Sequence, residues 1–323
     1  MYPIEECSPF FSKVTVQRSV LRSSSFGILP KPFILNKLND FLESEKRYCV
    51  LHGNESCGTT STLAYWLKKI SNDSEFVIFY FFVGATPSSS CKAYTEYTKK
   101  CMINRFNIDK GDDICNYDFS RFCYNACSGQ KVLFVIDGVD QFEDSYINPT
   151  SYLPLVPKGS KVIVSANTQS VKNTGCVNVE EPMLVEWGHS KKDLDFRFII
   201  KCLHGKCPDE KWINEYRRYT IYIPSLSKQD IKDNLVYYFG QFGKKLTSKQ
   251  IKKISDDPKS KNSNTLALLS SYLRPLHNPE DLEEIINRYT SIGDSMDFMT
   301  YLLDKRDNKY GFENIKNYRL ALF

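Results

Sequence analysis

The sequence predicts an α/β domain built on a mainly parallel sheet, followed by an all-α domain. Three observations lead there. Short apolar runs alternate with amphipathic stretches between Phe33 and Ile223, the pattern of strands joined by crossover helices. The run Phe76–Val83 is apolar throughout, as in a parallel strand covered on both faces. From Ser227 onward the helical period continues with no further strand pattern. The expected organisation is an N-terminal arm over 1–30, an α/β domain over 31–225 with an insertion near 177–219, and a helical domain over 226–323, its end a candidate start of a winged-helix region.

Each element has its own signal. Residues 1–25 lack a clear period and read as an arm, or as a strand laid on the domain. Phe33, Ile34, Leu35, Leu38 and Phe41 form one helical face, which leads into a strand over Arg47–Leu51. After a polar loop, Leu63, Trp66, Leu67 and Ile70 repeat the i, i+3, i+4, i+7 spacing. The strand Phe76–Val83 is followed by the turn Gly84–Ser90. Helices are expected to about Phe106 and from about Tyr117 to Cys127. Strands follow at Lys131–Ile136, at Lys161–Ser165 behind the turn Pro157-Lys158-Gly159-Ser160, and at Thr220–Ile223. Lys191–Cys202 and Glu210–Arg218 read as helical. In the last part Ser227 with Asp230 resembles a capping box. Ile231, Leu235, Tyr238, Phe239 and Phe242 form a face. Helices follow at Ser248–Ile254, Thr265–Leu273, Asp281–Tyr289 and Met296–Leu303.

Composition narrows the function classes. The chain has 323 residues, 41% apolar and 25% charged, with net charge +5. That is a soluble globular composition, and the charge is too mild to argue for nucleic acid, which is not expected as a partner. No apolar run approaches the ~18 residues of a membrane helix. The eleven cysteines show no framework spacing and no N-terminal signal is evident, so a reducing, cytoplasmic setting is expected. Cys202, His204 and Cys207 lie close together but supply three potential ligands at most, short of a closed zinc site.

The stretch Tyr48–Ile70 carries the chemistry. Gly53 and Gly58 stand as in G-x-x-x-x-G, a loop whose backbone amides approach phosphate oxygens at the positive end of a helix. The motif then asks for G-K-[ST]. Here Thr59 stands at the lysine position and Thr60 keeps the hydroxyl suited to Mg²⁺. The expected phosphate cradle is Gly53, Asn54, Glu55, Ser56, Cys57, Gly58, Thr59, Thr60 and Ser61. A loop that keeps its shape without binding nucleotide is the alternative. Asp137 closes an apolar strand, where a carboxylate can hold Mg²⁺. Asp140 follows in D-G-V-D and is a candidate to orient an attacking water. Both are also ordinary loop-starting residues. Asn167 is a candidate polar tip or a turn residue. The lysines between Lys244 and Lys261 read as a solvated helix face.

These motifs, taken together and in order, resemble the STAND class of P-loop NTPases. The carriers are G-N-E-S-C-G-T-T-S, F-V-I-F-Y-F-F-V-G-A-T-P-S-S-S, K-V-L-F-V-I-D-G-V-D-Q-F and V-P-K-G-S-K-V-I-V-S. Within that class the chain is similar to the NACHT-type domains of nephrocystin-like and telomerase-associated-protein-like proteins. I-P-S-L-S-K-Q-D-I around Pro224 and S-N-T-L-A-L-L-S-S-Y-L-R resemble the passage into their helical domain. The resemblance implies an ATP/ADP switch with Mg²⁺, whose nucleotide exchange permits self-association or protein partnership. It implies Gly53, Gly58 and Thr60 at phosphate and Mg²⁺, Asp137 at Mg²⁺, Asp140 near the hydrolytic water and Pro224 on the adenine side. Thr59 departs from the pattern, so at best weak nucleoside triphosphatase activity is implied. Thr265 departs from it too, standing where proline is usual. Members extend into repeats that are not evident in this sequence. A nucleotide-free scaffold and a DNA-associated AAA-type ATPase are the rival readings.

Overall fold

In the computed structural model the described residues are 16–21, 29–54, 56–71, 74–85, 90–109, 111–143, 152–167, 220–298 and 300–302. The chain separates into two compact units, Met1–Ser225 and Leu226–Phe323.

The first unit holds, in chain order, helix α1 (16–21), α2 (Pro32–Glu43), strand β1 (Tyr48–Gly53), α3 (Thr59–Ile70), β2 (Val77–Phe82), α4 (Cys91–Phe106), α5 (Phe119–Ala126), β3 (Val132–Asp137), β4 (Lys161–Asn167) and β5 (Thr220–Ile223). The sheet order is β2-β3-β4-β1-β5, and every pairing is parallel. This is an open parallel sheet with helices on both faces, as the sequence predicts.

The period of two along each strand splits the core into two layers. Val50, Phe134, Ile136, Val162 and Val164 pack with Tyr94, Met102 and Phe122 of α4 and α5. Leu51, Leu133, Val135 and Ile163 pack with Ile34, Leu38, Leu63 and Trp66 of α2 and α3. The interior strand β3 is buried at all six positions, which is why its sequence is apolar up to Asp137.

Two expectations are corrected here. The apolar run Phe76–Val83, expected to be a strand covered on both faces, is not buried along its whole length. It forms β2 at the edge of the sheet, and Val77–Tyr80 are only partly buried. Residues 16–21 are a helix rather than a strand laid on the domain. Their Gln17 is fully buried. Its amide donates to the Phe82 carbonyl at 3.0 Å and accepts from the Phe82 N–H at 2.7 Å. One side chain thereby satisfies both outward-facing backbone groups at the end of the edge strand. The helices read at Lys191–Cys202 and Glu210–Arg218, and the Cys202–His204–Cys207 cluster, lie outside the described residues.

The second unit holds α6 (Lys228–Gly240), α7 (Ser248–Asp256), α8 (Ser263–Leu273), α9 (Pro279–Ser291) and a further helical stretch over 295–298 and 300–302. Side chains cap the four starts. Ser227 and Asp230 form a capping box, Thr247 and Gln250 form another, and Asn262 and Asn278 accept from the first turns of α8 and α9. Ile231, Leu235, Phe239, Ile254, Leu269, Ile286, Tyr289 and Phe298 are buried. Phe242 falls beyond the end of α6 and is 48% exposed, so it is not part of the buried helical face that the spacing predicts.

Candidate functional site

The carboxyl ends of the five parallel strands lie along one edge of the sheet, and the glycine loop follows β1 there. Gly53 pairs in register with Asn167 on one side and Ile223 on the other, and Phe82 pairs with Asp137. Ligands in open parallel sheets bind along this edge.

The loop between β1 and α3 keeps the shape that a phosphate cradle needs. A Cβ on Gly53 would lie 2.3 Å from Cys57 Sγ and 2.7 Å from the Ile223 carbonyl oxygen, so only glycine fits. Ser56 and Gly58 have positive φ, 56° and 92°. The Cys57 N–H donates to the Asn54 carbonyl at 3.2 Å, closing the turn. Gly58 is the N-cap of α3 and offers no side chain to its first turn. An α-helix leaves its first amides without intrahelical acceptors, with a positive dipole end beside them. Asn54 is exposed, Cys57 is buried, and Thr59, Thr60 and Ser61 are partly buried. Glu55 lies outside the described residues.

Thr60 and Asp137 are brought together from 77 residues apart, with Thr60 Oγ1 donating to Asp137 Oδ2 at 2.6 Å. The other carboxylate oxygen, Oδ1, accepts from Ser165 Oγ. Ser165 Oγ in turn accepts from the Gly138 N–H at 2.8 Å. Asp137 is only 5% exposed. Burial pushes its pKa above the ordinary carboxylate value, against the pull of the Ser165 and Thr60 hydrogen bonds, and Asp140 adds a further push upward. A buried carboxylate beside a hydroxyl, at the mouth of a phosphate-type loop, is an oxygen donor set that suits Mg²⁺.

Asp140 lies on the short 3₁₀ turn Val139–Gln141 and is partly buried. Gln141 of that turn approaches Gly84, whose φ is +79° and whose Cβ would lie 3.0 Å from Gln141 Oε1. The two loops singled out as G-A-T-P and D-G-V-D-Q thus touch. Pro224 follows Ile223 directly and is partly buried. Beside it the Lys31 ammonium donates to the Ser225 carbonyl at 3.1 Å. Thr59 Oγ1 lies 3.2 Å from Cys57 Sγ, so its side chain is engaged within the loop. Burial raises the Cys57 pKa, which keeps it a thiol.

Sequence reasoning missed Ser165. The signal was a lone hydroxyl in the apolar strand β4, two residues before Asn167. Asn167 itself ends β4. Gln17 was also missed.

No protein-family model and no curated protein matches the chain. Solved structures that resemble it include the Walker-type ATPase of Pyrococcus abyssi, at 12% identity and TM-score 0.46, covering 91% of this chain and 77% of that one. Cdc6p from Pyrobaculum aerophilum matches at 11% identity and TM-score 0.46, over 74% of this chain and 60% of that one. The replication initiator DnaA, bound to AMPPCP and single-stranded DNA, matches at 13% identity and TM-score 0.45, over 96% and 76%. Superpositions at this level carry no weight for function, which rests on the geometry of the chain itself.

Proposed function

We propose that the chain is a NACHT/STAND-like nucleotide-binding switch module that holds ATP or ADP with Mg²⁺ and hydrolyses it weakly or not at all. One observation carries the reading: the Thr60–Asp137 hydrogen bond of 2.6 Å. It pairs the loop hydroxyl with the strand-end carboxylate, the two groups that Mg²⁺ coordination in a P-loop site uses.

The roles follow from position. Backbone amides between Asn54 and Ser61 cradle the phosphates. Thr60 and Asp137 hold Mg²⁺, which when bound would neutralise phosphate charge. Ser165 orients Asp137. Asp140 positions a water, and Pro224 borders the base. Thr59 offers a short neutral side chain where lysine would bring a point charge, so charge developing on the γ-phosphate finds less stabilisation. In this reading the arm covers 1–30, the NTPase domain 31–225 and the helical domain 226–323. Nucleotide exchange governs self-association or a protein partner in the cytoplasm.

Titration calorimetry with MgADP and MgATP tests binding. Thr59→Lys tests the chemistry, with phosphate release expected to rise on the order of 10- to 100-fold. Binding without any gain in Thr59→Lys would remove the account of the missing lysine.

A second reading has its own support. Thr59 Oγ1 contacts Cys57 Sγ, so the residue at the lysine position serves the loop. A nucleotide-free scaffold would keep such a loop for its shape alone, and would show no heat of binding with either nucleotide.

A further inference from the structure

We propose that a lysine face shared by α6 and α7 binds the phosphate backbone of nucleic acid without reading its bases. Residues 244–261 contain seven lysines against two aspartates, and the structure adds lysines from a second helix. Lys228 and Lys232 stand one turn apart on α6. Lys249 and Lys252 stand one turn apart on α7. The rows meet at Asp256, where the Lys228 ammonium donates to Oδ1 at 2.6 Å. The hydrogen bond from Lys228, with Lys252 and Lys232 also nearby, holds the Asp256 carboxyl below the ordinary range. Three cations, Lys228, Lys232 and Lys252, therefore surround one anion, and Lys249 lies one turn before Lys252 on α7. Lys228, Lys249 and Lys252 are exposed and Lys232 is partly so. The other α7 lysine, Lys253, is turned away and donates to Asn287 of α9.

The chemistry of the face selects its partner. Lysines are mobile point charges, suited to a line of phosphates, whereas recognition of acidic or phosphorylated peptides favours arginine forks. A membrane surface would ask for a broad apolar face beside the charges. Val236, one turn beyond Lys232, is the one aliphatic residue that continues the α6 row. The whole-chain charge of +5 does not reveal the face, because acidic residues elsewhere offset it.

The test uses the full chain without nucleotide and a labelled 20-base-pair duplex of arbitrary sequence, followed by fluorescence anisotropy between 50 and 200 mM salt. Four phosphate contacts predict a log–log slope of roughly −3.6 and about 100-fold weakening over that range. Lys228→Gln/Lys232→Gln/Lys249→Gln/Lys252→Gln should flatten the slope. Lys37→Gln/Lys69→Gln/Lys92→Gln/Lys100→Gln, with the same charge change elsewhere, should leave it intact. If the quadruple variant fails to fold, Lys232→Gln/Lys249→Gln should reduce the slope by about 2. No binding at 50 mM salt, or a slope that these variants leave unchanged, overturns the proposal. So does tighter binding of polyglutamate, or of phosphatidylserine vesicles, than of the duplex.

Discussion

Gly53 has no space for a methyl group, because Cys57 Sγ and the Ile223 carbonyl close on it from two sides. Gly53→Ala should cost about 1–3 kcal/mol, as overpacking does, read as a lower urea midpoint at constant slope. Adding Cys57→Ala should recover only part of the loss, since the Ile223 carbonyl remains. Full recovery would contradict the packing described. Asp137 gives a prediction in pH. Its folded pKa is raised, chiefly by burial, so the folded chain keeps a proton that the unfolded chain loses above about 3.9. Between those two values the unfolded state binds fewer protons, so stability falls as pH rises and then levels off. Asp137→Asn carries no such titration. The stability of the wild type relative to Asp137→Asn should therefore be greatest below about 3.9 and decline above it. A relative stability that increases with pH would contradict the buried, raised carboxyl.

At the scale of elements, β2 depends on α1. Gln17→Ala would leave the Phe82 N–H buried without its acceptor, while the Phe82 carbonyl would keep the bond it accepts from the Ala85 N–H at 3.3 Å. The expected cost is about 1–3 kcal/mol, with faster hydrogen exchange at the Phe82 amide. A change below about 0.5 kcal/mol, the level of an ordinary surface substitution, would show that the contact is dispensable. The same contact shows where the sequence stopped being readable. Strands β1, β3 and β5, helices α3, α4 and α9, and the Ser227 capping box follow from local period and local side chains, so the sequence foretells them to within a few residues. Gln17 meets Phe82 across 65 residues and Ser165 meets Asp137 across 28. Such pairings depend on the strand order, which no local pattern encodes. The edge position of β2 was hidden for a related reason, since a continuous apolar run reads as a strand covered on both faces wherever it stands in the sheet. In the site, the spacing named Gly53, Gly58, Thr60 and Asp137. The partner that orients Asp137 became visible only once β3 and β4 were neighbours.

At the scale of the molecule, the first unit carries a loop, a hydroxyl and a buried carboxylate, to which the proposed function assigns a Mg²⁺–nucleotide, with Thr59 at the lysine position. The second unit carries four lysines gathered from two helices. The two proposals are separable, since the lysine face is tested without nucleotide and the loop without nucleic acid. The central claim is that the loop still holds a nucleotide despite Thr59. It is tested most directly by thermal unfolding with and without millimolar MgADP or MgATP, beside Asp137→Ala. A ligand at 100 times its Kd stabilises by about 2.7 kcal/mol. A rise in midpoint with nucleotide that disappears in Asp137→Ala is the predicted result. An unchanged midpoint with both nucleotides would contradict the claim and leave the scaffold reading in its place.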